Sequence, residues 1–84
     1  MNKKNQLETQ ILEQMTLAFG QDLQGMSLAE CVPETISSWD SLAFLNLIAL
    51  LEELYSISVE IDEIEKMSEG GAGILDIISE KVGV

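Results

Sequence analysis

An all-α fold of three main helices and one short helix, with a long loop between the first two, is what this sequence predicts. Three observations carry that reading. Leu7, Ile11, Met15, Ala18 and Phe19 recur at helical spacing and form one apolar stripe. A denser apolar run spans Ser41 to Leu54. The one alternating stretch, Ser56 to Asp62, has no second stretch to pair with, so it reads as extended loop and not as strand.

The first helix ends where Gly20 follows its stripe, the usual place for a helix-closing glycine. Residues 20 to 38 then hold Gly20, Gly25, Pro33 and several Ser and Thr, with Leu23, Met26, Leu28, Val32 and Ile36 scattered among them. This predicts an ordered loop pinned by its apolar residues; loops of this length are uncommon and often functional. The second helix runs from about Ser41 to Leu54, with Asp40 as a good N-cap. After the extended stretch a short helix is expected over Asp62 to Met67. Gly70, Gly71 and Gly73 punctuate the chain. Ile74, Ile77, Ile78 and Val82 then give a last short helix, with Lys81 favourably placed near its negative end.

Eighty-four residues, 46% of them hydrophobic, suit one domain over 1–84 with one modest core. The formal net charge is −11, and no Lys or Arg lies between Asn5 and Glu65. Such a surface repels phosphate backbones and anionic lipid, which argues against nucleic-acid and membrane-surface roles and for partners with basic surfaces. The one cysteine, Cys31, has no internal disulfide partner and no His to activate it; it is expected as a small buried hydrophobe in a reducing compartment. The start, MNKKNQLETQ, lacks the apolar core of a secretory signal. The run Leu42 to Leu51 is about half the ~20 residues that a membrane span needs. A soluble, cytoplasmic monomer is expected.

Placing the second helix on a wheel at ~100° per residue separates two faces. Leu47, Leu51, Phe44, Tyr55 and Ile48, with Leu50 and Leu54 beside them, form a broad arc that should face the core. The opposite arc reads Ser41, Glu52, Leu45, Ala49, Leu42, Glu53, Asn46 in angular order. Leu42 and Leu45 could pack beneath the long loop. A small apolar patch with a polar rim is also how docking faces look. Ser41 is similarly open to two readings. A Ser beside a capping Asp is ordinary helix-start chemistry, yet a helix N-terminus is a good physical place to hold a phosphodiester.

Asp40-Ser41-Leu42, followed by an apolar helix ending Leu51-Glu52-Glu53-Leu54-Tyr55, resembles the acyl carrier proteins. A preceding helix, a long loop, the stretch YSISVEIDEIEKM and a closing short helix extend the likeness over nearly the whole chain. The resemblance implies that Ser41, flanked by Asp40 and Leu42, carries a 4′-phosphopantetheine arm derived from coenzyme A, whose thiol holds acyl groups as thioesters. It implies a carrier and not an enzyme, served by a phosphopantetheinyl transferase and by acyl-loading, acyl-transfer or condensing enzymes. With no His, the chain has no Ser-His or Cys-His pair, which agrees. Leu42, Leu45, Asn46, Ala49, Glu52 and Glu53 are then the expected partner-docking residues.

Three features set the chain apart. Carriers of fatty acid synthesis place acids one and four residues after the motif leucine, where this sequence has Ala43 and Asn46. Trp39 before the motif is more typical of stand-alone carriers in specialised fatty acid, lipid or polyketide pathways. The family also tends to open its last helix with a β-branched residue and not with Gly70, Gly71 and Gly73, which bears on packing there and not on the carrier assignment.

Two alternatives stay open. A D-alanyl or peptidyl carrier shares the fold and the modified serine, although acidity and the lack of a glycine before the motif lean toward acyl cargo. An unmodified acidic protein-binding module could use the same patch. A Ca²⁺ sensor is not supported, because Glu60, Asp62, Glu63 and Glu65 lack the D-x-D-x-D-G loop and read as a solvated face; no metal site is expected. Trp39 should anchor the loop end and so orient Ser41, and Phe44 and Tyr55 should pack in the core.

Overall fold

The computed structural model describes residues 3–83. Four helices follow in order: α1 (Lys3–Phe19), α2 (Ser41–Tyr55), α3 (Ile61–Met67) and α4 (Gly71–Val82). A single 3₁₀ turn, Leu28–Glu30, interrupts the long connection between α1 and α2. No strand occurs among the described residues; of the alternating run after α2, Ser56 closes the helix in left-handed geometry, residues 57–60 are irregular and Ile61 and Asp62 already belong to α3.

α1 buries Leu7, Ile11, Met15 and Phe19, the expected stripe, together with Leu12. Gly20 closes it in left-handed geometry at φ +65° and donates its N–H to the Thr16 carbonyl. The Thr16 hydroxyl then accepts the Leu23 N–H at 3.1 Å, so the loop turns straight back onto the helix it has just left. Leu23, Leu28, Cys31 and Ile36 are fully buried, Met26 packs part-buried against the same core, and Val32 is half-buried. Those four interior side chains make this long connection ordered: each buried apolar side chain offsets part of the backbone entropy lost around it.

At the loop's end Trp39 lies between two phenylalanines, its ring 4.9 Å from that of Phe19 and 5.9 Å from that of Phe44. This stack joins the last turn of α1 to the first turn of α2 and fixes where α2 begins. α2 buries Phe44, Leu47, Ile48 and Leu51, the centre of the predicted arc. The arc is narrower than expected, since Tyr55 and Leu50 are half-buried and Leu54 is 47% exposed. The Tyr55 hydroxyl donates to the Gln10 side-chain oxygen at 2.7 Å and ties the end of α2 to α1. Burial, and then the Glu13 carboxylate, raise its pKa above the ordinary phenol value.

α3 starts at Ile61, one residue before the expected Asp62. The Glu63 carboxylate accepts the Glu60 N–H at 2.8 Å and pairs with the Lys81 ammonium at 2.9 Å, which joins α3 to α4. The Glu60 amide and then Lys81 hold Glu63 below its ordinary pKa. Lys81 is thus more than a charge at a helix end, and the acidic cluster is not uniformly solvated, because Glu63 is half-buried in this bridge.

Glycines in the first turn of α4 are what permit its packing. Gly71 donates its N–H to the Cys31 carbonyl at 2.7 Å and lies so close to the Leu28 carbonyl that a Cβ would collide with it. A Cβ on Gly73 would sit 2.6 Å from the Lys66 carbonyl oxygen. Both obstacles are backbone atoms, so neither can swing aside. Gly71→Ala should therefore lose stability, because overpacking of about 1–3 kcal/mol exceeds the ~1 kcal/mol that helix propensity could return. Gly25→Ala is the control, since its Cβ would meet nothing within 4 Å. Thermal melts of both variants check this; equal midpoints would mean that α4 shifts freely on the loop.

Candidate functional site

The start of α2 separates two roles that the sequence left together. The Asp40 side chain accepts the Ala43 N–H at 2.8 Å and its carbonyl accepts the Phe44 N–H at 2.9 Å, so Asp40 is the cap. Ser41 occupies the first helical position with an exposed side chain. Among the described residues no side-chain hydrogen bond engages the Ser41 hydroxyl, and no backbone bond engages the Ser41 or Leu42 N–H. A free hydroxyl therefore stands beside two helix-end donors. The Phe19–Trp39–Phe44 stack holds this corner from beneath, and the Ser38 hydroxyl reaches the Gln21 side chain at 3.3 Å beside it.

The outer arc of α2 lies open. Leu42 is 79% and Leu45 54% exposed, and Asn46, Ala49 and Glu53 are exposed with them. Neither leucine packs under the long loop. Glu52 departs from the arc, for its half-buried carboxylate accepts the Val59 N–H at 2.9 Å and pins the extended stretch after α2. Ala43 is half-buried against the core, so it faces α1 and not outward.

Between α1 and α2 runs an open groove of about 600 Å³, lined by Ala18, Asp40, Leu42, Ala43, Leu45 and Asn46. Both neighbours of Ser41 in the chain contribute to it. Ala18 belongs to the apolar stripe of α1, and its small size in a row of bulky residues was the signal for a seam left unfilled. Leu17, 69% exposed on α1, and Ile61, 81% exposed at the start of α3, are further surface apolar residues that periodicity did not single out.

Cys31 is fully buried, its sulfur 3.5 Å from the Ser27 carbonyl. Burial, and then the Glu30 and Glu8 carboxylates, push its thiol above the ordinary pKa, which makes it a packing residue and a poor nucleophile. Among the described residues no helix is long and apolar enough to cross a membrane. Comparison of the chain with protein-family models, with curated proteins and with solved structures returned no match.

Proposed function

We propose that this chain is an acyl carrier, with Ser41 as the attachment point of a 4′-phosphopantetheine arm transferred from coenzyme A. The observation that carries the reading is the division of labour at the start of α2. Asp40 does the capping, and the Ser41 hydroxyl is left exposed and unpaired among the described residues. The residues fit such a group. The Ser41 and Leu42 amides and the positive end of a 15-residue helix favour phosphate oxygens there. The Asp40 charge is opposed to them but committed to the Ala43 amide. When bound, the arm supplies a thiol that holds acyl groups; the chain's own residues position the serine and present the helix face to partner enzymes.

The partners are a phosphopantetheinyl transferase and acyl-loading, acyl-transfer or condensing enzymes with basic docking surfaces, in a specialised fatty acid, lipid or polyketide pathway within the cytoplasm. Incubation with a transferase and coenzyme A, followed by intact-mass measurement and peptide mapping, tests the reading. One arm on the peptide containing Ser41 supports it. An unchanged mass overturns it in favour of a binding module that uses the leucine patch unmodified.

Acidic docking has its own test. Glu52 pins the stretch after α2, so reversing its charge would disturb structure as well as docking. Glu53 is exposed, and its pairing with a basic partner would be screened by salt. Glu53→Lys should slow loading by the transferase at low ionic strength and leave the helical circular dichroism unchanged. The difference from wild type should fade as salt rises. Equal rates at low salt would place the docking charge elsewhere.

A further inference from the structure

We propose that the outer seam between α1 and α2 is the docking site of an amphipathic helix from a partner protein, one that carries Lys or Arg beside its apolar residues. The inference goes beyond the carrier reading and does not rest on it. Along the seam lie the groove of about 600 Å³ at Ala18 and Ala43 and a second hollow of about 200 Å³, lined by Gln14, Leu50, Glu53 and Leu54. The helices pair antiparallel: Ala18 lies by Ala43, Gln14 by Leu50, and Gln10 bonds Tyr55. The hollows are therefore stretches of one channel, and from Gln10 to Ala18 it runs about 12 Å at ~1.5 Å per residue. α4 packs on α1 and on the loop, and α3 on α4, while both hollows are lined from α1, α2 and its cap alone.

The walls of the seam are unlike the rest of the surface. Gln10, Gln14, Leu17 and Ala18 share one side of α1 at helical spacing, and Ala43, Asn46, Leu50 and Leu54 share one side of α2. None of them is charged, on a chain of net charge −11. Leu17 is 69% and Leu54 47% exposed, and Leu50 is half-buried, so apolar surface meets water on both walls. Exposed apolar surface gathered in this way marks an interaction site. Ala18 and Ala43 keep the floor low, so the ridge of a third helix can settle between the two. Helix-in-groove recognition takes large apolar anchors at i, i+3, i+4 and i+7, the spacing that a channel of two turns accommodates.

The rim decides the occupant. Asp40 lines the first hollow and Glu53 the second, and exposed Glu13 stands beside Gln14 on α1. No Lys or Arg lies between Asn5 and Glu65 to offset these carboxylates. A second copy of this chain would bring the same acids to the same rim, and a further net charge of −11 with them, so self-association is opposed. A helix with Lys or Arg flanking its apolar face satisfies floor and rim together.

The experiment titrates the full ¹⁵N-labelled chain with a synthetic helical peptide of about four turns, bearing leucines on one face and lysines on both flanks. One reference peptide has glutamates in place of the lysines. Another has the lysine peptide's residues shuffled so that no leucine face remains. The leucine–lysine peptide should shift the side-chain amides of Gln10, Gln14 and Asn46 and the backbone amides of Leu17 and Leu50, and neither reference should. Leu17→Gln and Leu54→Gln, both at exposed positions, should each weaken its affinity roughly fivefold or more, the scale of an interface hot spot. Ile61→Gln, which removes an apolar side chain 81% exposed on α3, should leave the affinity unchanged. Shifts confined to Ala49, Glu52 and α3 would put the helix on the other face and overturn the inference. Equal shifts from either reference peptide would overturn it too, by reducing the effect to charge alone or to apolar contact alone. So would a dimer in sedimentation whose formation shifts Gln10 and Gln14, since a second copy would then cover the seam. Ser41→Ala should bind the peptide as the wild type does, so failure here and failure of the carrier reading appear in separate measurements.

Discussion

Ser41→Ala should abolish transferase-dependent modification while leaving the fold and its melting temperature essentially unchanged. Stability should hold for a local reason. Ser41 is exposed at the first position of α2 and holds no side-chain hydrogen bond among the described residues, so the substitution removes a solvated hydroxyl only. Surface changes of this kind usually fall within about 0.5 kcal/mol. The cap survives, because the bond from Asp40 to the Ala43 amide involves neither atom of the lost hydroxyl. Asp40→Ala is the informative contrast: it deletes the cap and should cost about 0.5–2 kcal/mol. The two variants separate a serine needed for chemistry from an aspartate needed for the helix. Other serines stand close by, Ser37 and Ser38 among them, so the mutant also tests site selection. Modification that persisted in Ser41→Ala, measured by intact mass, would end the assignment.

How much could be read in advance depended on whether one helix's own periodicity was enough. The stripe of α1, its closure at Gly20, the cap at Asp40 and the buried centre of α2 all follow from residues a few positions apart, and each is found where spacing puts it. The rest depended on which elements meet. Glu52 reads as a free charge on a wheel, yet it bonds the amide of Val59, seven residues on, because the chain doubles back after Ser56 at φ +54°. Ala43 reads as a neighbour of the docking patch, yet α1 packs beside it and turns it into groove floor. Gly71 and Gly73 read as punctuation and prove to be points of backbone approach, visible only once the Leu28 and Lys66 carbonyls are in place. Leu54 has the right angle for burial but lines a surface hollow with Gln14, Leu50 and Glu53, so it stays half in water. Angle on a helix is local information; the partner surface is not.

The orientation of α2 underlies both the proposed docking face and the groove, and two leucine truncations put it to a quantitative test. Leu51 is completely buried, and Leu51→Ala should lose about 2–5 kcal/mol, the sum of lost transfer energy and an unfilled cavity. In a domain of this size each kcal/mol is worth about 4–8 °C, so the midpoint should fall by roughly 8 °C or more. Small domains have little stability to spare, so Ile48→Val, expected to cost about 0.5–1.5 kcal/mol, gives a second reading of the same face if Leu51→Ala unfolds outright. Ile48 is 5% exposed. Leu45→Ala removes a side chain that is 54% exposed and should barely move the midpoint. Its cost should appear instead in partner use. A loss of about 1 kcal/mol or more, the scale of an interface hot spot, corresponds to at least a roughly fivefold drop in kcat/KM for loading by the transferase. The two variants should therefore cross over, one losing stability and the other losing docking. Were Leu45→Ala to destabilise the fold as much as Leu51→Ala, that face of α2 would be packed in solution, and neither the docking patch nor the groove beside Ser41 could be open to a ligand.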